Sequence, residues 1–277
     1  MTQNRLTTRF AALAAEDRAA FVTYIMAGDP DIAASAEILA KLPAAGADIV
    51  ELGMPFSDPM AEGPTIQRAA QRSLAAKTKM ADVLAMVATF RKQDDATPIV
   101  LMGYLNPVLF HGFEAFAAKA AEAGVDGMII VDCPPEEADP LADALEAVGV
   151  SLIRLAAPTT DDARLPAVVR RTSGFVYYVS VAGVTGVKEA VSASVAQPVQ
   201  RLRAASGLPV AVGFGIRTPE KAAEVARLAD GVVVGSALVD EIEGALLGGA
   251  NENVTERVLS KASELAKAVR LARVRDA

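Results

Sequence analysis

Short runs of β-branched and aliphatic residues recur along the chain, separated by longer segments in which apolar residues return every three or four positions. The first pattern is that of strands and the second that of amphipathic helices. Eight runs predict strands: Phe21–Met26, Ile49–Leu52, Ile99–Met102, Gly127–Val131, Leu152–Leu155, Phe175–Val179, Val210–Val212 and Gly231–Val234. Several, such as GMIIV and GVVVG, are apolar at odd and even positions alike, as expected of parallel strands covered on both faces. Asp31–Leu42 predicts a crossover helix, with Ala33, Ile38, Leu39 and Leu42 on one face and Pro43 ending it. The AAGAD step that follows runs straight into the second strand, and the helix–Ala–Gly–Asp–strand pattern returns at Ala121–Asp126 and, shortened, at Ala229–Gly231. Val254–Val274 predicts a closing helix, with Val254, Val258, Ala262, Leu265, Val269 and Ala272 on one stripe and Lys267, Arg270 and Arg273 near its carboxyl end.

Strands alternating with helices imply a parallel sheet, and eight of them in 277 residues fit one (β/α)₈ barrel, a single TIM-barrel domain over residues 1–277. Arg5–Ala15 then predicts an additional N-terminal helix capping the barrel bottom. The competing architecture is a doubly wound open sheet; the absence of a dinucleotide glycine fingerprint favours the barrel. In either architecture function sits in the loops after the strand carboxyl ends.

A net charge of −7 argues against general binding to nucleic acid or to anionic membranes, both of which need basic surface. The N-terminal residues contain no uninterrupted apolar core of a signal peptide, and no stretch reaches the ~20 apolar residues of a membrane span, so the chain reads as cytoplasmic. Cys133 is the only cysteine and His111 the only histidine, which excludes an internal disulfide and makes a metal site improbable. Cys133 reads as a small packing residue just beyond a strand, and His111 as a loop or helix-start residue.

Four loops carry unusual chemistry. Glu51 lies in the run DIVEL, where alternation turns it to the face opposite Val50 and Leu52 and so into the barrel mouth. A carboxylate there is a candidate acid/base, because desolvation lifts its pKa toward neutrality; the plainer reading is a strand-end ion pair. Glu62 follows in a loop stiffened by Pro55, Pro59, Gly63 and Pro64, with Ser57 and Asp58 between; Asp58 also suits a cap or turn. Near the other end, VGFGI and VVVGSA place Gly213, Gly215, Gly235 and Ser236 where backbone N–H groups and a helix start can hold a phosphate, although tight turns would also call for glycine. In the sixth unit Gly183, Thr185 and Gly186 form a glycine-punctuated loop that can serve as a lid and touch phosphate, or simply be an ordinary loop.

The ordered run ELGMPFSDPMAEGPTIQ, with AGVTG, GFGI and GSALV, resembles the alpha subunits of tryptophan synthase, and FVTYIMAGDPD, MGYLNPV and VDCPPEEA extend the likeness over essentially the whole chain. The resemblance implies a carbon–carbon lyase that cleaves indole-3-glycerol phosphate to indole and glyceraldehyde 3-phosphate by retro-aldol chemistry. It implies an α₂β₂ assembly with a beta subunit that holds pyridoxal phosphate, this chain itself carrying no cofactor. By position Glu51 matches the acid/base. Glu62 matches a second carboxylate that stabilises charge on the indole nitrogen, where the family pattern has aspartate. Tyr24, Met102, Tyr104 and Ile129 match the indole-packing set, Tyr177 a tyrosine beside the acid/base, and Thr185 a substrate-contacting lid residue. Gly186, Gly213, Gly235 and Ser236 match the phosphate set. Asp58, Pro59 and Asn106 match loops facing the beta subunit, and Asp132 a residue that helps close loop two. Val181 departs from the polar or basic residue expected in the lid. Two other readings follow from the same residues: a non-catalytic homologue that binds and activates a beta subunit, for which Glu62 is the support, and another phosphate-handling aldolase or isomerase, against which stands the lack of a strand-end lysine.

Overall fold

The computed structural model describes residues 4–180, 188–213, 215–248 and 254–274. Its strands are β1 (Ala20–Met26), β2 (Ile49–Gly53), β3 (Ile99–Gly103), β4 (Gly127–Ile130), β5 (Ser151–Leu152), β6 (Arg154–Ala156), β7 (Val176–Val179), β8 (Val210–Gly213) and β9 (Gly231–Val234). Every pairing is parallel, in the order β5-β4-β3-β2-β1-β9-β8-β7-β6. The predicted fifth strand is thus two pieces, β5 on β4 and β6 on β7, interrupted at Ile153. Ile153 N–H still donates to the Met128 carbonyl (2.9 Å), so the two ends of the sheet meet in one stretch of chain and the sheet curls into a nearly closed barrel. The open doubly wound alternative is thereby set aside.

Alternation sorts each strand between two cores. Val22, Ile49, Val100, Ile129, Ile153, Phe175, Ala211 and Val233 fill the barrel interior. Their neighbours Phe21, Val50, Leu101, Met128, Leu152, Val176, Val210 and Val232 face outward into the layer shared with the helices. The helix Arg5–Ala15 closes the interior from below: Leu6, Phe10 and Leu13 belong to the inner core, and the Phe10 and Phe175 rings lie 5.6 Å apart. Asn4 caps that helix on Thr7 N–H and donates to Ser151 Oγ (2.8 Å), tying it to the strand floor.

The recurring Asp before a strand has a structural reason. Asp48 accepts from Phe21 N–H (2.9 Å) and from both terminal nitrogens of Arg18; Asp126 accepts from Ile99 N–H (2.8 Å) and from Arg91; Asp230 accepts from Val210 N–H (2.8 Å) and from Arg203. Each carboxylate thus satisfies an amide at the start of the neighbouring strand, and an arginine neutralises it.

The predicted crossover helix is Ile32–Lys41, capped by Asp31, and the closing helix is Val254–Leu271. His111 is a correction: it ends the helix Leu105–His111, rather than standing in a loop or opening a helix, and Gly112 at φ 78° terminates that helix. NPVLF becomes helical because Pro107 falls in the first turn, where a missing N–H costs no intrahelical bond. Cys133 is buried, as a packing residue should be.

Candidate active site

At the carboxyl ends of the strands a cavity of about 310 Å³ opens, walled by Val131, Leu155, Val179, Val233, Met102 and Ile216 and carrying Glu51 and Glu62. Glu51 stands in the middle of β2 and points inward as its parity requires; it is 1% exposed, and neither carboxylate oxygen has a hydrogen-bond partner among the described residues. No strand-end ion pair is formed among the described residues. Burial pushes the Glu51 carboxyl up to about 8, with a further rise from the charge of Glu62. Glu62 is half-buried in the loop between β2 and the helix Pro64–Ala75, and burial lifts it to about 7. Its longer side chain still reaches the cavity because the loop turns tightly, with Glu62 N–H on the Pro59 carbonyl (3.1 Å) and Gln67 Nε2 on the Glu62 carbonyl (3.0 Å).

Two buried phenols flank the carboxylates. Tyr24 is held protonated by burial and then by the charges of Glu62 and Glu51; Tyr177 by burial and then by Glu51 and Glu62. Their rings lie across inward-facing glycines: a Cβ on Gly53 would stand 2.3 Å from the Tyr24 hydroxyl, and one on Gly213 would stand 2.2 Å from that of Tyr177. Gly213 is thus required for the close approach of a ring, and it does not itself line the cavity.

Gly215, at φ 75°, Gly235 and Ser236 all line the cavity. The helix Ser236–Leu247 begins there with no side chain capping its first amides, which leaves N–H groups directed at the opening. Tyr24, Met102 and Tyr177 line the cavity as expected. Ile129 does not: it lies one layer deeper, in the inner core, and its place in the wall is taken by Val131, two residues on along the same face. Tyr104 also stands outside the wall; its hydroxyl accepts from Ala61 N–H (2.9 Å) and its ring stacks on Phe56, centroids 5.0 Å apart. Asp132 accepts from Leu105 N–H (2.8 Å), so loops four, three and two are linked through Asp132, Leu105, Tyr104 and Ala61. Asp58 is exposed and takes a 2.5 Å hydrogen bond from Ser57, capping no helix; Asn106 is exposed, and Pro59 half-buried. Gly183, Thr185 and Gly186, and Val181 with them, lie outside the described residues.

Sequence reasoning missed Val131, Leu155 and Val179, although Val131 and Val179 lie two positions beyond Ile129 and Tyr177, already placed in the site, and period-two counting finds them. It also missed Thr65 and Arg217 at the rim, for which the only signal was a cation two residues after a loop glycine. Among the described residues, no lysine lines the cavity, no group of His, Cys, Asp and Glu is gathered as for a metal, and no helix is long and apolar enough to cross a membrane.

A desolvated pair of carboxylates with raised pKa values, at the carboxyl ends of the strands of a parallel barrel, is the arrangement of a (β/α)₈-barrel enzyme and suits acid–base chemistry. Comparison with known proteins gives the class a family. The family model described as tryptophan synthase alpha chain matches residues 10–270. The tryptophan synthase alpha chain of Caulobacter vibrioides (strain NA1000 / CB15N) is 73% identical over 274 residues, 99% of each chain, and that of Phenylobacterium zucineum (strain HLK1) is 69% identical over 99% of this chain and 98% of its own. The crystal structure of tryptophan synthase subunit alpha from Legionella pneumophila str. Paris superposes with a TM-score of 0.89 at 43% identity, covering 97% of this chain and 99% of that one. The chain belongs to the tryptophan synthase alpha chain family, the lyases of L-tryptophan biosynthesis that cleave indole-3-glycerol phosphate.

Proposed function

We propose that Glu51 and Glu62 divide the work of this cleavage, the retro-aldol conversion of indole-3-glycerol phosphate to indole and glyceraldehyde 3-phosphate. The observation that carries the reading is the unpartnered, buried carboxyl of Glu51 beside Glu62 in an apolar cavity at the barrel mouth. With Glu51 at about 8 and Glu62 at about 7, the proton remains longer on Glu51. Protonated Glu51 gives its proton to the indole ring carbon that bears the glycerol chain. The positive charge that spreads to the ring nitrogen is met by ionised Glu62. Glu51, now a carboxylate, removes the proton of the adjacent hydroxyl; the carbon–carbon bond breaks, its electrons return to the ring, and the aldehyde forms. Glu51 ends protonated, so the cycle balances with no electron acceptor, and the reading requires no cofactor in this chain.

The apolar walls suit the flat indole ring, with Tyr24, Met102 and Tyr177 against it. Gly215, Gly235, Ser236 and the open amides of the helix Ser236–Leu247 suit the phosphate, with Gly213 holding its place beneath Tyr177. Thr185 and Gly186 belong to the same reading as lid and phosphate contacts. Glu62 was the one support for a non-catalytic homologue; because its carboxylate reaches the cavity, the longer side chain is compatible with the aspartate's role. The beta subunit is the partner of this family, and we take the assembly to be an α₂β₂ heterotetramer in the cytoplasm, with pyridoxal phosphate in the beta subunit. Asp58, Pro59 and Asn106 would face it, beside the exposed apolar side chains of Met60 and Phe110.

Glu51→Gln keeps the shape and removes the acidic proton. It is expected to lower the rate of indole release by at least about a hundredfold while retaining substrate binding. Turnover near the wild-type rate would sink the assignment.

A further inference from the structure

We propose that Arg217 is a ligand of the substrate phosphate, oriented for that task by Asp240 and Thr65; the proposal rests on the phosphate reading above and adds the charged group that reading lacks. The cavity carries Glu62, ionised in the reading above, and a dianionic substrate entering it meets the field of that carboxylate. Among the described residues that line the cavity, Arg217 is the one cation. It follows Gly215 and Ile216 in loop seven, on the wall shared with Gly235 and Ser236, where the uncapped helix begins.

Its guanidinium is held in place. Arg217 Nη1 donates to Asp240 Oδ2, and Asp240 Oδ1 accepts from Thr65 Oγ1 (3.0 Å), so one carboxylate joins loop seven, the helix Ser236–Leu247 and the first turn of the helix that follows Glu62. An ion pair this exposed contributes little to stability, with side chains 52% and 32% accessible, so stability alone gives small reason for the arrangement. Its geometric consequence is larger. Asp240 stands one helical turn after Ser236, and its negative charge close to a phosphate would oppose binding. Arg217 masks that charge while keeping donors in the cavity wall, and its planar fork can serve a carboxylate and a phosphate at once. The pair therefore presets the guanidinium and costs the substrate little ordering entropy.

The test compares wild type with Arg217→Gln and Arg217→Lys in the full-length chain, by kinetics of indole-3-glycerol phosphate cleavage and by competitive inhibition with the two products separately. Loss of the charge is expected to raise KM for the substrate and the inhibition constant of glyceraldehyde 3-phosphate by a common factor of about ten, leaving indole unmoved. The lysine variant, which keeps the charge but lacks the fork that serves both anions, should recover only part of the loss. Unchanged affinity for glyceraldehyde 3-phosphate in Arg217→Gln overturns the proposal, as does an equal weakening of indole, which would mean general damage to the cavity. Unphosphorylated glyceraldehyde separates the two levels: if it inhibits wild type as well as the phosphorylated product does, the phosphate reading itself falls, whereas full wild-type discrimination retained in Arg217→Gln removes Arg217 alone.

Discussion

Glu51 shows how much of a residue's chemistry is conferred by its surroundings. A glutamate in water ionises near 4.5, and here burial and a second carboxylate carry it to about 8. The linkage to stability has a definite sign. Between the ordinary value and the raised values of about 8 and about 7, the folded chain binds more protons than the unfolded chain, so these two groups favour folding less as pH rises through that window. Glu51→Gln removes the larger share. Its Tm relative to wild type is expected to climb from about pH 5 to about pH 8, followed by thermal melts in parallel buffers; a difference that stays flat would mean that Glu51 is not desolvated in the folded chain. The inward direction of Glu51 was legible from strand parity. Its lack of a hydrogen-bond partner among the described residues was not, since that depends on which side chains the other strands bring to the same depth.

At the scale of elements, the predicted strands agree with the observed ones to within a residue or so at most ends, and the N-terminal helix spans Arg5–Ala15 as read from the chain. The exception is the strand broken at Ile153, where pairing passes from β4 to β7; that exchange follows from barrel closure and leaves no mark in a local apolar run. The N-terminal helix is the floor of the inner core, because Leu6 is fully buried and one of its methyl carbons would lie 3.0 Å from a Cβ on Gly127. Leu6→Ala opens a void there among the close-packed side chains of the inner core. A loss of about 2–4 kcal/mol in urea unfolding is expected, and less than about 1 kcal/mol would show that the helix does not seal the barrel.

For the whole molecule, the active-site end of the barrel also carries two large, strongly exposed apolar side chains. Phe110 is 86% exposed and Met60 84%, on the helix Leu105–His111 and on loop two. Loop two bears Glu62, and Tyr104, one residue before that helix, holds Ala61, so a partner seated on this face would press on the elements that position the carboxylate proposed as the second catalytic group. Phe110→Asp is expected to leave folding unaffected and to weaken association with the beta subunit by about tenfold or more, measured by titration of one subunit into the other; unaltered affinity would move the interface elsewhere.

The chain's own order determined where the strands fall, which face of each is inward, the aspartates that precede several of them, and the motif that names the family, because periods of 2 and 3.6 residues and contiguous motifs are local properties. Tertiary structure alone decided which distant residues meet. It set Glu62 against Glu51, moved Ile129 beneath the cavity and Val131 into its wall, and joined Thr65, Asp240 and Arg217 from three segments. These depend on the curvature and closure of the sheet, which fix the depth and angle at which each strand delivers its side chains, and no single stretch of sequence carries that information.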